Sequence, residues 1–189
     1  MRFLKTNIDG VFVVELERKH DERGFFARAF SANEFAECGL MSNVSQCNMS
    51  FNHRRGTLRG LHMQRAPAPE AKLFRCISGA TFHVAVDVRA GSGTYGSHVG
   101  VELSSEKRTA LYVPELCAAG YQTLTPEAEV FYMTSAPYSP GCEQGFRYDD
   151  PAFAIGWPLE VTAISDKDAN WPLIDVAPTR KELPNDHPR

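Results

Sequence analysis

Three observations predict a mostly β fold enclosing a cavity. From Ala71 onward, short runs of β-branched, aliphatic and aromatic residues are separated by Gly or Pro, the punctuation of sandwiches and barrels. Within that stretch Thr81 to Arg89 alternate: Phe82, Val84, Val86 and Val88 share one face, and Thr81, His83, Ala85, Asp87 and Arg89 share the other. Finally, 189 residues suffice for one substantial core and a tail, with no apolar run approaching the roughly 18 residues of a membrane span.

The elements follow in order. Residues 8–17 read as a strand, and Asp21 to Phe26 as a polar turn delivering Arg23 and two aromatics. Ser31-Ala-Asn-Glu34 is a capping box that opens a short helix to about Cys38, with Gly39 as its stop. Asn48, Ser50 and Asn52 alternate, Arg54-Arg-Gly56 forms a basic turn, and Thr57 to Gln64 is a second short strand before a Pro-rich loop, Ala66-Pro-Ala-Pro69. Lys72 to Ser78 forms the next strand, closed by Gly79. After Thr81–Arg89, strands near 98–104, 109–113, 119–124 and 128–134 continue as a meander. Ser165-x-x-Asp168 signals a helix start beyond Trp157-Pro158. The segment from about residue 175, rich in Pro and charge, is expected to be a loosely held tail of a single domain.

A net charge of −3 argues against general nucleic-acid binding, so any phosphate site must be local. Met1-Arg-Phe-Leu-Lys-Thr-Asn7 lacks a signal-peptide core. The five cysteines are odd in number and have no C-x-x-C spacing, which fits reduced thiols in a cytoplasm better than a disulfide frame or a zinc site. Arg59 and His62, a cation and a titratable imidazole three residues apart, suit a site that holds an anionic substrate and moves a proton near neutral pH.

Taken together, the motifs resemble the nucleotide-sugar epimerases typified by dTDP-4-dehydrorhamnose 3,5-epimerase. The carriers are Asp21-Glu-Arg-Gly-Phe-Phe26, Gln46-x-Asn-x-Ser50, Leu58-Arg-Gly-Leu-His62-x-Gln64, Lys72-Leu73 with Arg75, and Val86-Asp-Val-Arg89. Further on come Thr94-Tyr-Gly96, Val113-Pro-Glu115, Tyr132, Tyr138-x-Pro140, Asp149-Asp-Pro151, Ile155-x-Trp-Pro158 and Ser165-x-Lys-Asp168. Each motif is weak alone; their order and spacing over residues 21–168 are specific.

The resemblance implies a cupin-like jelly roll with a short N-terminal helix and short C-terminal helical segments. It also implies a homodimer whose N-terminal part crosses to the partner; the charge and the lack of a long apolar run lead to no expected nucleic-acid or membrane partner. The implied substrate is a nucleoside-diphosphate 4-keto-6-deoxy sugar, epimerised beside the ketone. The most specific form is 3,5-epimerisation of dTDP-4-dehydro-6-deoxy-D-glucose towards dTDP-4-dehydro-L-rhamnose. Neither cofactor nor metal is implied, and the six histidines include no H-x-H pair of the kind metal-binding cupins use.

By the same resemblance His62 is the base, Asp168 orients it, Lys72 stabilises the enolate oxygen and Tyr132 is the acid. Arg23 and Arg59 correspond to residues that bind the diphosphate, as Arg geometry favours. Tyr138 corresponds to the aromatic that stacks on the base, and Gln46, Asn48, Glu143 and Lys167 to further ligand contacts; Phe26 would line the nucleotide site.

Three positions depart from the family pattern. Ala119 stands where a His usually contacts substrate, His83 where an Asp is usual, and Arg28 where a Glu often touches the base. Two expectations stand for this pair: that His83 and Ala119 face one cavity, so that His83 restores a polar contact, or that His83 only packs on the barrel wall and the lost contact narrows the reaction to one carbon. The alternatives are an epimerase acting on one carbon only, and a binding cupin without turnover. Retention of His62, Lys72, Tyr132 and Asp168 speaks against the last.

Overall fold

The computed structural model describes residues 1–174; the expected tail from about residue 175 lies outside the described residues. In chain order the first elements are β1 (Arg2–Lys5), β2 (Phe12–Glu15), β3 (Lys19–Asp21), β4 (Gly24–Phe26), α1 (Ala32–Glu37), β5 (Gln46–Asn52), β6 (Leu58–Gln64) and β7 (Lys72–Ser78). They are followed by β8 (Ala80–Asp87), β9 (His98–Ser104), β10 (Ala110–Val113), β11 (Cys117–Thr123), β12 (Ala128–Thr134), β13 (Glu143–Gly145) and α2 (Asp166–Ala169).

The strands form two antiparallel sheets, ordered β1-β2-β10-β7-β12-β5 and β13-β6-β11-β8-β9, with β3 and β4 as a separate hairpin. This is a jelly roll, and it corrects the expected meander. From β5 onward only β8 and β9 are sequence neighbours that pair; most other connections cross between the sheets. Local pattern marks strands but carries no information about which distant strand completes each ladder.

Strand alternation builds three apolar layers. Between the sheets lie Phe74, Leu111, Val113 and Val130 from one and Ala85, Leu103, Ala119 and Tyr121 from the other. Outside the five-stranded sheet, Leu61, Met63, Val84 and Val86 are covered by Phe146, Phe153 and Trp157. Outside the other sheet, Val14, Leu73 and Tyr112 pack against Phe35 of α1. Both faces of β8 are therefore buried, including the one that carries His83 and Asp87.

Several boundaries move for identifiable reasons. The expected strand at 8–17 shortens to β2 because Ile8 to Val11 form a tight turn, closed by the Val11 N–H to the Ile8 carbonyl at 3.1 Å. A strand that was not expected, β1, pairs with β2. The stretch 19–26 is a hairpin rather than a plain turn.

Helix α1 starts after Ser31 as expected, but no capping box forms: the Ser31 side chain makes no cap hydrogen bond. The Glu34 carboxylate is instead taken by the Met1 ammonium at 2.7 Å and by Arg28, full charges that outcompete a neutral amide. The C-terminal stop at Gly39 does form. Leu40 N–H reaches the Phe35 carbonyl, Gly39 N–H reaches the Ala36 carbonyl, and Gly39 adopts φ +71°. Helix α2 is capped as the sequence predicts, with Ser165 Oγ accepting from the Asp168 N–H at 3.1 Å.

One irregularity positions the site. Opposite β11, Ala119 pairs with His62 but Tyr121 pairs with Arg59, so two β6 residues, Gly60 and Leu61, face the single residue Gly120. This β-bulge shifts the register by one and turns Arg59 and His62 to the same side; regular alternation would place them on opposite faces. Gly60 is required there. Its φ is +112°, and a Cβ would fall 2.6 Å from Gly120 Cα and 2.8 Å from the Ala119 carbonyl oxygen.

Gly60→Ala is therefore expected to cost about 1–3 kcal/mol of stability through backbone strain and strand separation. Urea unfolding of the variant against the parent measures it, and equal midpoints would show that the bulge tolerates a side chain.

Candidate active site

Between the sheets, at the end where β6 bulges, lies a cavity of about 490 Å³. The five-stranded sheet contributes Arg59, His62, Ala119 and Tyr121; the opposing sheet contributes Ser50, Lys72, Phe74 and Tyr132. Segment 163–168 closes one side. Two backbone contacts lay that segment along the start of β6: Leu58 N–H to the Ala163 carbonyl at 2.8 Å, and Thr162 N–H to the Gly56 carbonyl at 3.0 Å. A second recess of about 390 Å³ shares His62, Lys72 and Tyr132 and adds Gln46, Asn48, Glu70, Tyr138 and Glu143.

His62 Nε2 lies 2.6 Å from Asp168 Oδ1, and Asp168 Oδ2 accepts the Gly60 N–H at 3.1 Å. Burial alone would raise the Asp168 pKa, but hydrogen bonds from His62, Gly60 and Ser165 outweigh it and hold the carboxyl below its usual range. An ionised carboxylate only accepts, so Nε2 carries the proton and the lone pair of the neutral ring sits on Nδ1. The bulge amide thus orients the acid that orients the imidazole.

Tyr132 stands on the opposite sheet, with its ring 5.4 Å from Phe74. Burial, then the neighbouring Tyr121 and Glu70, push its pKa above the ordinary phenol value, with Arg59 opposing. It holds its proton at neutral pH. Lys72 reaches between the sheets and donates to the His62 carbonyl at 3.2 Å, with Glu70 as its counter-charge at 2.8 Å.

Arg59 is held by Asn52 Oδ1 at 2.8 Å, and Asn52 in turn lies within reach of the Tyr121 hydroxyl, itself 2.7 Å from Ser50 Oγ. At the rim, Glu143 accepts from Tyr138 at 2.7 Å and from Lys167 at 2.6 Å, and Gln46 Oε1 accepts the Tyr138 N–H. Among the described residues no group of three His, Cys, Asp or Glu side chains is arranged to hold a metal ion.

The cavities therefore bring together His62, Asp168, Lys72, Tyr132, Arg59, Gln46, Asn48, Tyr138, Glu143, Lys167 and Ala119. They do not include Arg23 or Phe26. Those sit on the β3–β4 hairpin, where Arg23 pairs with Asp21 at 2.6 Å and Phe26 is 71% exposed. Arg28 is also outside, paired with Glu34.

The expectation that His83 shares the cavity with Ala119 is corrected. Ala119 lines it, opposite His62 in the ladder. His83 is 1% exposed behind the wall, its ring stacked on Tyr121 at 5.0 Å and tilted against Phe74 at 5.1 Å. Its strand face points between the sheets, where those two rings stand between it and the cavity.

Residues that sequence reasoning missed are Glu70, Phe74, Tyr121 and Gly60. Ser50 was within reach, since it alternates with Asn48 and Asn52, but Glu70 sits in an irregular loop where no periodicity assigns a direction.

Burial pushes the His83 pKa down from 6.5 to about 3. The unfolded chain takes up this proton near pH 6.5 while the folded chain resists. The stability His83 contributes is thus complete above pH 6.5 and lost on acidification towards pH 3, by about 1.4 kcal/mol per pH unit. His83→Phe should remove that component. Denaturant unfolding at pH 7 and at pH 4 measures it, and an unchanged difference between the two would show that His83 is not buried neutral.

The family model described as dTDP-4-dehydrorhamnose 3,5-epimerase matches residues 5–175. A relative from Methanothermobacter thermautotrophicus bearing that description is 44% identical over 173 residues, covering 90% of this chain and 92% of the relative. A dTDP-4-dehydrorhamnose 3-epimerase from Streptomyces niveus is 35% identical over 185 residues, covering 97% and 89%. Among solved structures, a dTDP-6-deoxy-D-glucose-3,5-epimerase from Legionella pneumophila, in complex with dTDP-4-keto-L-rhamnose, superposes with a TM-score of 0.86. It is 37% identical, with 94% of each chain covered.

Proposed function

The chain belongs to the dTDP-4-dehydrorhamnose 3,5-epimerase family, and we propose that it converts dTDP-4-dehydro-6-deoxy-D-glucose to dTDP-4-dehydro-L-rhamnose by moving protons at both carbons beside the ketone. The observation that carries this reading is the facing of two proton-transfer groups: His62, backed by Asp168 of α2, on one sheet and Tyr132 on the other, across one cavity.

A ketone acidifies its neighbouring C–H bonds, yet the enolate remains costly in water. In this reading the neutral His62 ring removes the proton from one face, and Asp168 stabilises the imidazolium that forms. The Lys72 ammonium lies where negative charge develops on the oxygen, and preorganised charge of that kind is worth several kcal/mol. Tyr132, which holds its proton, delivers it from the opposite face and so inverts the carbon.

Arg59 would clamp the diphosphate, Tyr138 would stack on the base, and Gln46, Asn48, Glu143 and Lys167 would complete the nucleotide contacts. Arg23 and Phe26 fit best as contributions to a partner's site in a homodimer with exchanged N-terminal segments. The exposed hairpin that carries them supports this, as do the exposed Met49, Phe51 and Ile77 on the outer face of the six-stranded sheet. A cytoplasmic location is favoured by five free cysteines; among the described residues no helix is long and apolar enough to cross a membrane.

One observation favours a second reading, epimerisation at one carbon only. Ala119, the ladder neighbour of His62 on the same cavity wall, puts a methyl group where a polar contact to the sugar would otherwise stand. NMR of the dTDP-4-keto-6-deoxy sugar in deuterated water separates the readings by showing which carbon-bound hydrogens exchange.

In that assay His62→Ala should abolish deuterium incorporation while leaving nucleotide binding nearly intact; substantial residual exchange would place the base elsewhere. Tyr132→Phe should spare exchange more than product formation, and normal turnover at both carbons would assign the acid to another group. Arg59→Ala should weaken dTDP binding in calorimetry by about 1.5–3 kcal/mol, the scale of a hydrogen bond to a charged group. An unchanged affinity would remove Arg59 from the diphosphate site.

A further inference from the structure

Glu70 is a nearly buried acid that the reading above leaves without a task. Its carboxylate lines the recess beside Tyr132 and Tyr138 and is 8% exposed. A carboxylate taken out of water is costly unless paired, and this one is paired with the Lys72 ammonium, whose side chain is 11% exposed. The other contact of that ammonium is the His62 carbonyl. Lys72 is thus strung between an acid from the loop and the backbone of the strand that carries the imidazole.

The loop is built to hold this geometry. Ala71, next to Glu70, donates its N–H to Ser135 Oγ at 2.8 Å and accepts the Ser135 N–H at 3.0 Å. Gln64 Nε2 pins the loop further back, donating to the Ala68 carbonyl at 3.0 Å and the Pro137 carbonyl at 3.1 Å. A lysine left to itself has four rotatable bonds and a strongly hydrated head. A fixed counter-charge removes that freedom before substrate arrives.

We propose that Glu70 is a positioning residue for the epimerisation: its carboxylate, set by the pinned loop, fixes the Lys72 ammonium at the place of the enolate oxygen. The inference rests on the assignment of Lys72 above. It also accounts for a carboxylate close to the phenol of Tyr132, since a negative charge there opposes premature loss of the phenolic proton.

The test uses the deuterium-exchange assay on the parent protein, Glu70→Gln, Glu70→Asp, Lys72→Met and the Glu70→Gln/Lys72→Met double variant, each checked for folding by circular dichroism. Glu70→Gln keeps the shape and removes the charge. It should lower kcat by about 10- to 100-fold with little change in KM, the scale of losing a group that orients a reacting one. In the Lys72→Met background the same substitution should add almost nothing, as for two residues that act as one unit.

Glu70→Asp, which retains the charge one methylene shorter, should lose part of the rate; it carries the test if Glu70→Gln does not fold. A parent-like kcat in Glu70→Gln, a parent-like rate in Glu70→Asp, or an undiminished loss in the Lys72→Met background overturns the role of Glu70. A parent protein that gives no exchange overturns the epimerase reading itself, and this inference with it.

Discussion

The bulge at Gly60 is the constraint on which the rest of the site depends. Strand alternation would send Arg59 and His62 to opposite faces; one extra residue in β6 opposite Gly120 sends both into the cavity. The same irregularity frees the Gly60 N–H from the ladder, and that amide goes to Asp168, the acid hydrogen-bonded to His62. A backbone defect thus supplies two things together, the side on which the cation and imidazole stand and a fixed donor for the acid behind the imidazole. Only glycine fits, because the facing backbone leaves no room for a Cβ.

Around this point the jelly roll does what a single sheet could not. Two sheets packed face to face hold their inner side chains on opposite walls of one space, so a planar reactant placed between them meets different groups on its two faces. His62 and Tyr132 occupy those two walls. The carboxylates around them are each held by a partner, Asp168 by the His62 ring and Glu70 by Lys72 at the reacting end, Glu143 by Lys167 at the rim. Pairing offsets the cost of taking the Glu70 carboxylate and the Lys72 ammonium out of water.

The N-terminal hairpin stands apart from that economy. All residues of β3 and β4 are exposed, Phe26 at 71%, whereas Phe25 is flanked by the guanidinium groups of Arg18 and Arg108 at 5.0 and 5.2 Å. Such a hairpin, too small to bury a face of its own, is held by its neighbours and offers its far side outward.

The sequence by itself determined where most strands lie, because β7 through β12 carry alternation and Gly or Pro boundaries within a few residues of each other. It determined the stop of α1 at Gly39 and the cap of α2 at Ser165, both local events. It also marked His62, Lys72, Tyr132 and Asp168 through the order of short motifs. Tertiary structure alone decided which strands pair, since ladders between residues as distant as Asn48 and Tyr132 depend on burial across the whole chain. It decided that Glu34 serves the Met1 ammonium rather than a capping box, because a full charge from another part of the chain outweighs a local amide. It placed His83 behind Tyr121 rather than in the cavity, and Glu70 against Lys72. Which wall of a packed core a side chain reaches is set by register and bulges, and those follow from the fit of distant strands.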